Sequence, residues 1–149
     1  MTVSTASAVL DSLVTRVAAA LPEVRVLDGG PLRDFKDDGL AIGYTPQFGD
    51  DVVSDTRTRD QMESSPDAER YDITNLAWSW HGSNTDQKAV RDRAYELVNH
   101  VAAELARDQT LGGLVMRAWV SSTALAQEQT NRGAVATVRF VISVYAFTR

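Results

Sequence analysis

No cysteine occurs in this sequence. Disulfides, thiolate nucleophiles and thiolate zinc sites are excluded together, and a disulfide-stapled secreted fold goes with them. Histidine is nearly as scarce, with only His81 and His100, so a histidine-built metal centre lacks ligands. Lysine is reduced to Lys36 and Lys88. The glycines are scattered, and neither G-x-G-x-x-G nor G-x-x-x-x-G-K-[ST] occurs to cradle a phosphate. Long hydrophobic runs are missing as well. Nothing approaches the ~20 apolar residues of a membrane span. The first base is Arg16, and Asp11 interrupts the early apolar stretch, unlike a secretory signal. The expectation is a protein made and kept in the cytoplasm, with no membrane partner.

The 149 residues fit one domain, 1–149, with ordinary hydrophobic (44%) and charged (23%) content. The net charge of −5 argues against capture of nucleic acid by clustered bases. That charge is concentrated. Residues 47–69 hold seven acids (Asp50, Asp51, Asp55, Asp60, Glu63, Asp67, Glu69) and two bases (Arg57, Arg59), a net −5. The rest of the chain balances. The stretch shows no hydrophobic periodicity, and 23 residues without structure between two strands are uncommon in a compact domain unless functional or disordered.

Periodicity predicts a helix over 4–21, with Val9, Leu10, Leu13, Val14, Val17 and Leu21 at helical spacing. Ser4 or Thr5 can cap it, and Pro22 stops it. Val24–Leu27 and Leu40–Thr45 read as short strands. Arg70–His81 reads as a longer one, with Leu76, Trp78 and Trp80 on one face and Tyr71, Ile73 and Ala77 on the other. A second helix follows. Asn84 and Gln87 form a capping box, Val90, Ala94, Leu97, Val98, Val101 and Leu105 make its buried stripe, and Gly112-Gly113 ends it. Leu114–Gln129 and Ala134–Phe147 form a long hairpin. A three-residue loop, Asn131-Arg132-Gly133, with Gly133 in the left-handed position, sets Val144 opposite Val120, Phe140 opposite Ala124 and Tyr145 opposite Trp119. The resulting class is α+β: a mostly antiparallel sheet with two main helices packed on one face.

Chemistry is sparse. His81 sits near Ser79 and Ser83, with Asp86 to orient it, but sequence proximity does not supply a triad's geometry; a solvent-facing histidine at a strand end is the simpler reading. His100 reads as a boundary residue of the second helix. The acidic segment offers hard-cation ligands, yet lacks the Asp-x-Asp-x-Asp-Gly order of a calcium loop. No catalytic residue, metal or cofactor is expected. Trp119 lies on the more polar face of the hairpin. If no helix covers that face, Trp119 and Tyr145 form an exposed patch of the kind partners use.

The whole chain resembles the tail terminator (minor tail) proteins of long-tailed bacteriophages. The resemblance rests on element order and on "VRVLDGGPL", "RYDITNLAWSWHGSNTDQKAVRDRAYELVNHVAAELARD" and "GGLVMRAWVSSTALAQEQTNRGAVATVRFVISVYAFTR". It implies a small, non-enzymatic α+β subunit of the virion. Such subunits form a homohexameric ring at the head-proximal end of the tail tube. The ring stops tube polymerisation and gives the head–tail connector proteins a docking surface. Its partners are itself, the tail tube protein and the connector, with DNA as passing cargo. Assembly takes place in host cytoplasm. Another neck-completion protein is the alternative, and a small enzyme using His81 a further one. Within this resemblance, Asp50, Asp51, Asp55, Arg57, Arg59, Asp60 and Glu63 are expected to face the lumen or the tube. Trp119, Tyr145 and Arg139 are expected at the subunit interface.

Overall fold

The computed structural model describes residues 3–30, 37–45, 51–58, 67–82, 87–130 and 133–148. Helix α1 spans Ala6–Ala20 and buries Val9, Leu13 and Val17, spaced three or four apart on one stripe. The Leu21 N–H donates to the Val17 carbonyl and closes the last turn ahead of Pro22. The sheet comprises β1 (Arg25–Asp28), β2 (Gly39–Ile42), β3 (Val53–Thr58), β4 (Asp67–His81), β5 (Arg117–Thr130) and β6 (Gly133–Thr148). Helix α2 (Gln87–Arg107) lies between β4 and β5 in sequence.

The strand order is β1-β2-β4-β6-β5, with β3 also paired to β4. Only β1 and β2 run parallel. Strand β4 is long enough to carry two short strands on one edge. Strand β2 pairs with its C-terminal half, from Gly39↔Trp78 to Ala41↔Leu76. Strand β3 pairs with its N-terminal half, from Val53↔Ile73 to Thr58↔Ala68. Such a junction leaves backbone polar groups to satisfy. Thr74 takes two: its carbonyl accepts from Tyr44 N–H, and its N–H donates to the Val52 carbonyl. The buried Asn75 completes the junction. Its Oδ1 accepts from Gly43 N–H at 2.9 Å, and its Nδ2 donates to the carbonyls of Ile73 and Phe140.

Alternation sorts the side chains as the sequence predicts for β4. Tyr71, Ile73 and Ala77 join Val138, Phe140, Ile142 and Val144 of β6 under both helices in one large core. Helix α2 presents Val90, Ala94, Leu97, Val98, Val101 and Leu105 to it. Each such burial contributes about 1.5–3 kcal/mol for a Val, Leu, Ile or Phe side chain. On the opposite face Leu76 and Trp78 pack with Ala41, Leu27 and Tyr44. The Trp78 ring packs against Gly39, where an added Cβ would fall 2.1 Å from it. Helices on one face of a largely antiparallel sheet make this an α+β fold.

Three expectations are corrected. The stretch 47–69 is not structureless: β3 occupies Val53–Thr58, and β4 already begins at Asp67. Strand β3 reads Val-Ser-Asp-Thr-Arg-Thr, with polar residues on both sides, so apolar alternation does not betray it. The hairpin turns through two residues, because Thr130 pairs with Gly133. Gly133 belongs to the strand rather than the loop, and a Cβ there would lie 2.1 Å from the His81 carbonyl oxygen. A bulge between Val120 and Ser122 then shifts the register. Val144 therefore faces Ala118, Ile142 faces Val120, Phe140 faces Thr123 and Tyr145 faces Arg117. Helix α2 ends at Arg107, before Gly112-Gly113. Asp108 organises the intervening turn, accepting from Thr110 and Gly112 N–H groups. The proposed Asn84 cap lies outside the described residues.

Candidate assembly surface

The face of the sheet away from the helices carries an aromatic patch. Register places Thr56, Arg70, Tyr145 and Arg117 in one row across β3, β4, β6 and β5. The next row is Ser54, Asp72, Ser143 and Trp119. Neighbours on one face of a sheet touch directly or diagonally. Accordingly, the Arg117 guanidinium lies 4.6 Å from the centroid of the Trp119 ring, and that of Arg70 lies 4.7 Å from Tyr145. Tyr145 meets Phe147 edge to face at 5.3 Å. Ser143 Oγ donates to Asp72, and Ser143 and Ser121 share a hydrogen bond. Phe147 is 42% exposed, so the patch is open to solvent. Among the described residues no helix covers it.

The structure brings Trp119 and Tyr145 together but diagonally, not face to face as the three-residue loop implied. Arg139 shares their face and lies further along β6, opposite Leu76 and Ala124. There it lines a groove of about 650 Å³ with Tyr44, Leu76, Ala124, Ala126 and Val135. Arg70 and Arg117 are functional candidates that the sequence reading missed. Their signal is tertiary, because each stacks on a ring of a partner or next-but-one residue. Among the described residues Arg70, Arg117 and Arg139 form no ion pair. On the helix side, Arg16 pairs with Asp108 at 3.4 Å and Arg93 with Asp38 at 2.8 Å, and Lys88 and Arg107 also find carboxylates.

Of the acidic-segment candidates, Asp51, Asp55 and Arg57 are described; Asp50, Arg59, Asp60 and Glu63 are not. Strand β3 lies two strands away from β5 across β4 and β6. Asp55 and Arg57 point to the side of Tyr71 and Glu69, their cross-strand partners. Glu69 is fully buried and was not expected to be. Its Oε1 accepts from Thr5 N–H at 2.9 Å and Thr5 Oγ1 at 2.8 Å. A carboxylate from β4 thus caps α1, whose own Thr5 side chain does not. Thr5 Oγ1 also contacts the Tyr71 hydroxyl at 2.8 Å. Burial pushes the Tyr71 hydroxyl upward, so it stays protonated. Arg57 Nη1 lies 3.5 Å from Glu69, and its Nη2 donates to Thr148 Oγ1 at 2.6 Å. Desolvation and the neighbouring Glu69 raise Asp55 to about 6. Although desolvation opposes it, Glu69 is held below the usual carboxylate range by the Thr5 and Ser4 hydrogen bonds and that of Asp55.

Among the described residues the histidine chemistry does not assemble. Ser79 is buried, and its Oγ donates to Asp38 at 2.7 Å; Asp38 is in turn held by Arg93. That hydroxyl ties β4 to the start of β2 rather than standing ready as a nucleophile. His81 is exposed at the strand end. His100 is exposed on α2, 3.7 Å from Glu96. Ser83 and Asp86 lie outside the described residues. No group of three or more metal-ligating side chains occurs among the described residues.

No protein-family model matches the chain, and no curated protein does. Among solved structures, it is similar to a chain from the virion of a native gene transfer agent particle, with a TM-score of 0.55. The two chains are 8% identical, and the match covers 98% of this chain and 99% of the other. At that identity the likeness speaks for the fold.

Proposed function

We propose that this chain is a structural subunit of a phage-like virion. More narrowly, it acts as a tail terminator: a homohexameric ring at the head-proximal end of the tail tube that stops polymerisation and offers the head connector a docking surface. The likeness to a gene transfer agent virion chain along almost the whole of both chains carries the reading. The solvent-open aromatic patch supports it, because ring subunits need heterologous surfaces and aromatic residues with arginine are enriched in interface cores. Trp119 and Tyr145 are assigned to the subunit interface, with Arg139 on the same face. The acidic segment (Asp50, Asp51, Asp55, Arg57, Arg59, Asp60, Glu63) is assigned to the lumen or the tube end. Its charge there repels the phosphate backbone, so DNA passes as cargo.

The test is to mix the purified chain with the tail tube protein of the same virus during tube growth and to measure tube length by negative-stain electron microscopy. Shorter tubes with a ring at one end are expected. Tubes of unchanged length with no added density would overturn the terminator reading.

A further inference from the structure

We propose that the Arg70–Arg117 face of one subunit receives Asp51, at the entry to β3, of a second copy, so that copies join head to tail. This rests on the assembly reading above and names the partner surface within it. The observations are charges left unmatched on both sides. Arg70 and Arg117 stack on Tyr145 and Trp119, which engages their flat faces and leaves their N–H groups free to take carboxylates. Asp51 is exposed and forms no ion pair among the described residues. It belongs to the 47–69 stretch that carries a net −5 while the rest of the chain balances.

These charges cannot meet within one subunit. Arg117 is on β5, and two strands separate β5 from β3, a separation of about 14 Å at ordinary strand spacing. Arg70 lies opposite Thr56, five positions along from Asp51 and so about 17 Å away at the rise of an extended strand. A two-fold contact about the patch brings Arg70 and Arg117 of one copy toward those of the next, and the acid of the neighbouring row, Asp72, already accepts from Ser143. Like charges juxtaposed in an interface oppose association. The complementary surface is the end of β3 that carries Asp51, which makes the contact heterologous, and such contacts generate rings or filaments. The aromatic patch supplies apolar area, and the cation–acid contacts fix the polarity. This contact moves Asp51 from the lumen-facing set to the subunit interface; the other acids of the 47–69 stretch remain for the lumen or tube.

The absence of native cysteine permits a direct test in the full chain. Variants Asp51→Cys and Arg117→Cys are prepared separately, then mixed under mild oxidation at a concentration where wild type is oligomeric. Disulfide-linked dimers are expected from the mixture and not from either variant alone. Arg117→Glu should weaken self-association by at least about tenfold, and Asp51→Arg added to it should restore most of that loss. Dimers from Arg117→Cys alone matching the mixture would overturn the head-to-tail contact, as would no dimer in any arm or a wild-type chain monomeric at every concentration. Undiminished tube capping alongside such a result would leave the terminator reading standing. Cross-linking in the mixture without tube capping would do the reverse.

Discussion

The two faces of the sheet are built from the same strands but handle polar groups in opposite ways. Under the helices, buried polar side chains are tied to specific partners: Asn75 to three backbone groups, Ser79 to Asp38, Glu69 to Thr5. Across the sheet, Arg70 and Arg117 rest on aromatic rings with no ion pair among the described residues, and Phe147 stands open. The first face is finished by its own chain. Under the proposed assembly the second is finished by another subunit, since desolvating Trp and Tyr there would release binding energy that folding leaves unused. Stability and assembly are therefore expected to respond to different substitutions.

The comparison breaks most visibly in the core. Phe140 is fully buried in the main cluster, and Phe140→Ala is expected to lower unfolding free energy by about 3–5 kcal/mol. Chemical denaturation measures this; a loss below about 1 kcal/mol would mean that the helices do not pack as described. Glu69→Gln comes next. It keeps the shape but removes the charge that holds the Thr5 N–H and faces Arg57, so about 1–3 kcal/mol should be lost. The melting profile of that variant should also lose part of its acid sensitivity.

The smallest effect concerns pH. Glu69 sits below its ordinary value, so its contribution is present above about pH 4.5 and fades as pH falls further. Asp55 is raised to about 6, so its contribution is present at low pH and fades as pH rises through about 6. The pair is best satisfied between these limits, sharing one proton. Hydrogen exchange of β3 amides, corrected for intrinsic rates, should speed up above pH 6, and Asp55→Asn should remove the change. Equal pH dependence in the variant would rule out Asp55 as its source.

Some of this was legible in the sequence and some was not, for identifiable reasons. The faces of β4 follow from period-2 alternation, and the α2 stripe from helical spacing, because burial writes itself into those patterns. Strand β3 escaped because an edge strand with polar residues on both sides has no such pattern. The hairpin register escaped because Gly133 fits a left-handed loop position in the sequence, whereas its glycine is required by the close approach of the His81 carbonyl. The bulge before Ser122 then reversed the parity of half of β5. Trp119 and Tyr145 were visible as aromatic residues on the polar side. Arg70 and Arg117 were not, because their significance depends on rings brought near by pairing. Glu69 shares parity with Tyr71 and Ile73, so extending β4 back by one residue would have placed it in the core.

The most direct measurement is the molar mass of Trp119→Glu by light scattering, taken with its melting temperature. Trp119 is half-buried on the bare face and contacts none of the helix-side core residues that carry the fold. The account predicts an oligomeric wild type and a monomeric variant that melts within a few degrees of it. An unchanged mass, or a variant that no longer folds, would contradict the division between a face for stability and a face for assembly.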